Sequence, residues 1–104
     1  MLRFYKVVGV SMTPTLYPGD YVLCLTKPLF RLKKNQVVVV NHPKYQKIIK
    51  RIRQACDNRG YSLTGDNSQS TSSQELGFVT QESVVGLVLL KIANKRKVAS
   101  CYFW

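Results

Sequence analysis

The apolar residues of this chain come in short runs divided by turn residues, and that spacing constrains the fold more than any other feature. The longest run, Val84-Val85-Gly86-Leu87-Val88-Leu89-Leu90, is only seven residues, whereas a membrane-spanning helix needs about 20. Residues 21–26, 36–41, 46–54, 61–64 and 83–92 are rich in β-branched or aromatic residues and are bounded by Pro, Gly, Asn or Ser. Segments of that kind read as strands. Val37 to Val40 are four consecutive valines, the pattern of a strand buried on both faces. Residues 5–10 read as a further strand leading into a loop, in which residues 14–17 form one helical turn. The expectation is a mainly β, compact single domain over residues 1–104, with a basic and aromatic tail at 93–104 left unplaced.

That loop presents Ser11 between the apolar Val8-Gly9-Val10 and a turn built from Pro14, Pro18 and Gly19. Lys50 sits inside a second apolar segment, Ile48-Ile49-Lys50-Arg51-Ile52. A serine hydroxyl becomes a useful nucleophile only when a base removes its proton. A lysine with its free pKa is neutral in about one molecule in 2500 at pH 7. Burial among apolar side chains raises that fraction, at about 1.4 kcal/mol per pKa unit.

Periodicity leaves the segment around Lys50 with two readings. As a helix, Tyr45, Ile48, Ile49, Ile52 and Cys56 share one face. As a strand, Gln46, Ile48, Lys50 and Ile52 share one face, with Lys47, Arg51 and Arg53 on the other. The β-branched content favours the strand, which sets Lys50 alone among the local cations on the apolar side.

Three ordered segments resemble the signal peptidase I family and, more loosely, the self-cleaving domains of SOS and phage repressors. Gly9-Val10-Ser11-Met12-Thr13-Pro14-Thr15-Leu16-Tyr17-Pro18-Gly19-Asp20 is similar to the nucleophile box. Ile49-Lys50-Arg51-Ile52 is similar to the lysine box. Gly65-Asp66-Asn67, followed by Gly77-Phe78-Val79, is similar to the box that closes the site. The resemblance touches most of residues 7–90. It implies a β-fold of the signal peptidase or repressor self-cleavage type, with Ser11 as catalytic nucleophile and Lys50 as its base. It also implies an extended substrate bound as an added strand between Val8, Gly9 and Val10 on one side and Ile48 and Ile49 on the other. On that reading Met12 helps to line the small pockets, and Lys47 lends only its backbone.

The Ser11 backbone N–H is the implied oxyanion donor, because the position two residues before it is Gly9 and carries no hydroxyl. Ser70 is the implied hydroxyl beside Lys50, and Asp66 a turn-former close to the site. The Asp and Arg that family members carry in the closing box have no counterpart between Ser70 and Gln74. Within the superfamily, the Val-Val-Gly-Val-Ser-Met-Thr-Pro-Thr-Leu stretch looks most like nickel-type superoxide dismutase maturation proteases. That likeness implies removal of an N-terminal propeptide from a nickel superoxide dismutase precursor, with no cofactor. Two alternatives stand beside it: a signal peptidase-like protein without its membrane anchor, and a catalytically idle basic binding module on the same fold. The repressor reading ranks lower, because no DNA-binding segment precedes Ser11 and the Gly-Asp-Asn box is not theirs.

The formal net charge is +11, from 16 Lys and Arg against five acids. Such an excess can attract nucleic acid, anionic lipid or an acidic partner, and can equally be a solvated basic face; without an aromatic-interleaved binding motif no nucleic acid is expected. The N-terminal residues carry Arg3 and Lys6 and no apolar stretch typical of a signal peptide, so the expectation is a soluble, cytoplasmic chain. Three widely spaced cysteines and the single His42 point away from a disulfide framework and from a metal site.

Overall fold

The chain folds into one antiparallel sheet in this computed structural model, which describes residues 1–56 and 60–93 and the backbone of 101–103. In chain order the strands are β1 (Leu2–Lys6), β2 (Tyr21–Thr26), β3 (Val37–His42), β4 (Gln46–Cys56), β5 (Gly60–Thr64), β6 (Phe78–Val79), β7 (Val84–Ile92) and β8 (Cys101–Phe103). Their spatial order is β1-β2-β7-β3-β4-β5-β6, with β8 also pairing β7. The short helix α1 (Ser73–Leu76) and one 3-10 turn (Gln81–Ser83) lie between β5 and β7. The basic residues 94–100 of the expected tail and Trp104 lie outside the described residues.

Pleating divides the valines of β3 between two cores. Val38 and Val40 pack with Leu32, Ile52, Leu63 and Leu87; Val37 and Val39 pack with Val7, Met12, Leu16 and Val88. Successive side chains of a strand point to opposite faces, so a strand with a core on each side must be apolar at every position. Each buried valine contributes about 1.5–3 kcal/mol of transfer free energy. Cys24 is fully buried in the second core, and burial pushes its thiol up to about 12, so it behaves as a small apolar side chain.

The segment around Lys50 is a strand, paired with β3 in the register Val38↔Lys50, Val39↔Ile49, Val40↔Ile48. Opposite Lys50 there is therefore a fully buried valine. β5 pairs with β4 only from Arg51 onward, so the other edge of residues 46–50 has no strand partner among the described residues. Among the described residues β1 pairs only with β2 and likewise leaves an edge open. Those two open edges border the site described below.

The first strand differs from expectation. It covers Leu2–Lys6 rather than residues 5–10, because Val7 turns its backbone to the loop, accepting from Gly19 N at 2.9 Å and donating to Asp20 O at 2.7 Å. Gly9 then takes φ +82°, a conformation open to glycine and costly for a β-branched residue.

Candidate active site

Ser11 lies in a turn whose ends are tied down locally. Thr13 N donates to Val10 O at 3.1 Å, and Leu16 N donates to Met12 O at 2.8 Å. The expected helical turn at residues 14–17 does not continue, because Tyr17 N donates instead to Asp20 Oδ2 at 3.0 Å and Asp20 N donates back to Tyr17 O at 3.0 Å. Met12 and Leu16, one turn apart, plug the second core and anchor the loop from below. Ser11, immediately before Met12, stays half-buried.

Lys50 is 4% exposed. Burial lowers its pKa below the ordinary lysine value, and desolvation is the cause. It makes no ion pair with an acid among the described residues. The uncharged amine that a base requires is thus favoured by the same packing that holds the strand.

Arg51, the next residue, projects from the opposite face and binds Asp66. Its Nε donates to Oδ1 at 2.8 Å and its Nη2 donates to Oδ2 at 2.7 Å; the guanidinium holds the Asp66 carboxyl below the usual carboxylate range. Thr15 Oγ1 donates to the same carboxylate at 2.5 Å. Lys91 Nζ, from β7, donates to Thr15 O at 2.8 Å. Asn67 completes the attachment: its N–H donates to Ser11 O at 2.9 Å and its side-chain amide donates to Thr13 Oγ1 at 2.6 Å. The Gly65-Asp66-Asn67 segment therefore ties the serine loop to the strand that carries Lys50.

Gly65 permits this approach. A Cβ there would stand 2.5 Å from Ser11 O and also collide with Ser70 Oγ. Any larger residue would push the loops apart.

Above this framework lies a cavity of about 380 Å³ that both Ser11 and Lys50 line. Tyr5, Lys6 and Val8 form its β1 side; Lys47, Ile48 and Ile49 form its β4 side. Thr71 and Leu76 close it from the loop after β5. Between the Ser11 hydroxyl and the Lys50 amine there is no hydrogen bond; catalytic pairs in unliganded enzymes are often longer than in the reacting complex. The Ser11 backbone N–H has no acceptor among the described residues and is available as a donor to a bound oxygen.

Residues 2–89 match the family described as Peptidase S24-like. The chain belongs to that family. No curated protein and no solved structure matches the chain. Membership in the Peptidase S24-like family is a coarser statement than the motif resemblance. It gives the chain the fold of serine peptidases and self-cleaving domains of this type and does not reach the nickel superoxide dismutase maturation proteases.

In this Peptidase S24-like chain the sequence-derived candidates divide. Val8, Ile48 and Ile49 line the cavity with Ser11 and Lys50. Gly9 is exposed in the link between Val8 and the serine. Val10 lines a separate recess with Thr13, Pro14 and Asp66. Met12 is 2% exposed and belongs to the core beneath the loop, not to the cavity wall. Ser70 packs against Gly65, and the hydroxyl residue of that loop that faces the cavity is Thr71. Lys47 contributes its side chain as well as its backbone, with Nζ 5.4 Å from the Tyr5 ring centroid across the cavity.

Arg51 and Tyr5 were not legible as site residues. The Asp–Arg pair missing between Ser70 and Gln74 is supplied instead by Asp66, at the start of the closing box, and Arg51, from the lysine box. His42 is structural: Nδ1 accepts from Lys44 N at 3.0 Å, which leaves Nε2 to donate to Leu76 O at 2.7 Å. Among the described residues no three His, Cys, Asp or Glu side chains cluster as metal ligands, and no helix is long and apolar enough to cross a membrane.

Proposed function

We propose that this chain is a serine endopeptidase in which Ser11 is the nucleophile and Lys50 its general base. The observation that carries the reading is a buried lysine with no ion-paired acid among the described residues, sharing a cavity with the serine of a stiff loop. In the reaction, neutral Lys50 Nζ takes the Ser11 proton as Oγ bonds to the scissile carbonyl carbon. The Ser11 N–H stabilises the oxyanion. The lysine then returns its proton to the departing amine, and water hydrolyses the acyl-serine by the same route in reverse.

The substrate in this reading is a precursor with an accessible, extended N-terminal segment, added as a strand to the open edges of β1 and β4. A nickel superoxide dismutase precursor in the cytoplasm is the leading candidate, supported by the resemblance at residues 7–16 alone. Mixing that purified precursor with the chain should yield one cut ahead of the mature N-terminus, detected by mass analysis, and Ser11→Ala should prevent it. An intact precursor alongside cleavage of other extended peptides would reject the substrate and leave the chemistry.

A second reading is favoured by the unjoined Ser11 and Lys50 groups: a binding module on the same fold without catalysis. It requires that wild-type chain leave every bound peptide intact.

A further inference from the structure

Charge is distributed unevenly around the cavity. Lys6 and Lys47 stand on its walls. A second recess, of about 400 Å³, shares Tyr5 and Lys47 with it and adds Arg3. Among the described residues no Asp or Glu lines either space. Two cations approach the Tyr5 ring, with Arg3 Cζ 5.6 Å and Lys47 Nζ 5.4 Å from its centroid. Contacts of that kind hold a cation in place without neutralising it.

The acids among the described residues lie elsewhere. Asp66 is bound by Arg51, and buried Asp20 caps Tyr17 N. Glu75 accepts from Tyr45 Oη at 2.6 Å. Glu82 lines a third recess with Lys27. Neither Arg3 nor Lys47 pairs with an acid among the described residues.

We infer that the face formed by Arg3, Tyr5 and Lys47 is a subsite for acidic side chains of the peptide, lying to one side of the bond presented to Ser11. The inference rests on the peptidase reading and adds a specificity to it. Arg3 Cζ at 5.6 Å and Lys47 Nζ at 5.4 Å approach the same Tyr5 ring centroid, so the two charges lie no more than about 11 Å apart. An extended peptide running along the open edge of β1 projects its alternate side chains about 7 Å apart, within that span. The matching sequence is therefore an acid at alternate positions, Glu-x-Glu or Asp-x-Asp. A peptide fits better than a nucleic acid or an anionic lipid surface, because the open edges of β1 and β4 also require N–H and C=O partners.

The test measures binding to the Ser11→Ala chain, so that it stands apart from turnover. Fluorescein-labelled Ala/Gly peptides carrying Glu-x-Glu or Gln-x-Gln at one end or the other are titrated by anisotropy at about 0.15 M salt. One placement of Glu-x-Glu should bind roughly three- to tenfold more tightly than its Gln counterpart. Arg3→Gln combined with Lys47→Gln should bring that ratio near one. Lys33→Gln combined with Lys34→Gln, on the exposed loop before β3, should leave it in place. Thermal melts of both double variants establish that they are folded.

Equal binding of Glu and Gln peptides overturns the inference. So does an equal gain from acids at both ends, or an equal loss in the Lys33/Lys34 variant, either of which would mean a diffuse field. Tight binding of an oligonucleotide or of phosphatidylserine vesicles through Arg3 and Lys47, without a peptide preference, assigns the face to those ligands instead. Peptides bound with this preference but never cut by wild-type chain would reject the peptidase reading and keep the subsite.

Discussion

Arg51 and Asp66 are joined by two parallel hydrogen bonds of 2.8 and 2.7 Å, one residue beyond Lys50 and one residue before the asparagine that holds Ser11 O. A paired fork of this kind resists both sliding and rotation, so it sets the distance between the serine loop and the lysine strand. Arg51→Gln or Asp66→Asn should lower stability by about 1 kcal/mol, or roughly 4–8 °C in Tm. Either change should also reduce peptide cleavage more than Lys34→Gln does. Calorimetry and a peptide assay check both effects.

The same pair gives a signed pH dependence. Arg51 depresses the Asp66 pKa in the folded state. The stability it contributes is fully present above the unfolded carboxyl value of about 3.9 and is lost as pH falls through the folded value. The Tm gap between wild type and Asp66→Asn should therefore be steady near neutrality and close below about pH 4. A gap that widens on acidification would contradict the assignment.

Lys50 behaves in the opposite sense. Burial lowers its folded pKa, so the unfolded chain binds more protons between that value and about 10.4, and stability rises with pH across the window. Lys50→Met removes the burden of a buried amine and should raise Tm at pH 7, by about 4–8 °C for each kcal/mol relieved. The gain should vanish above about pH 10.5, where both states are neutral. The same variant should lose about 10²–10⁴-fold in cleavage. Higher stability together with lost activity separates a base from a structural lysine.

Activity itself should follow the neutral amine. In wild-type chain, kcat/KM is expected to rise with pH along one ionisation that lies below the free-lysine value. Chelators should leave the rate unchanged, since the proposed steps use only Ser11, Lys50 and water. A rate lost in chelator and restored by a divalent ion would replace the mechanism.

Gly65→Ala tests the closeness of the two loops. The new methyl group would collide with Ser70 Oγ and approach Ser11 O to 2.5 Å. The expected cost is about 1–3 kcal/mol of stability and a larger fractional loss of activity than Gly77→Ala, where a Cβ meets nothing within 4 Å. Both glycines have constrained surroundings or φ, so the comparison rests on activity per folded molecule.

Local chemistry was enough for most of the strands. Alternation and β-branching made β2, β3, β4, β5 and β7 legible, because a pleated segment between two cores tolerates little else. Ser11 and Lys50, a serine in a stiff turn and a lysine among isoleucines, stood out in the sequence as well, and they line one cavity. Other features were decided by partners distant in the chain. Arg51 looked like one more solvated cation until the loop after β5 brought Asp66 against it, 15 residues later. Met12 sits beside the nucleophile in sequence, yet a turn with Leu16 below it sends its side chain into the core. Thr71 rather than Ser70 faces the cavity because Ser70 is packed against Gly65. Tyr5 became a cavity wall only because β1 and β4, which are not neighbours in the sheet, leave facing edges unpaired. Alternation along one strand determines which face a side chain takes; what that face meets depends on register and loop closure, which are long-range.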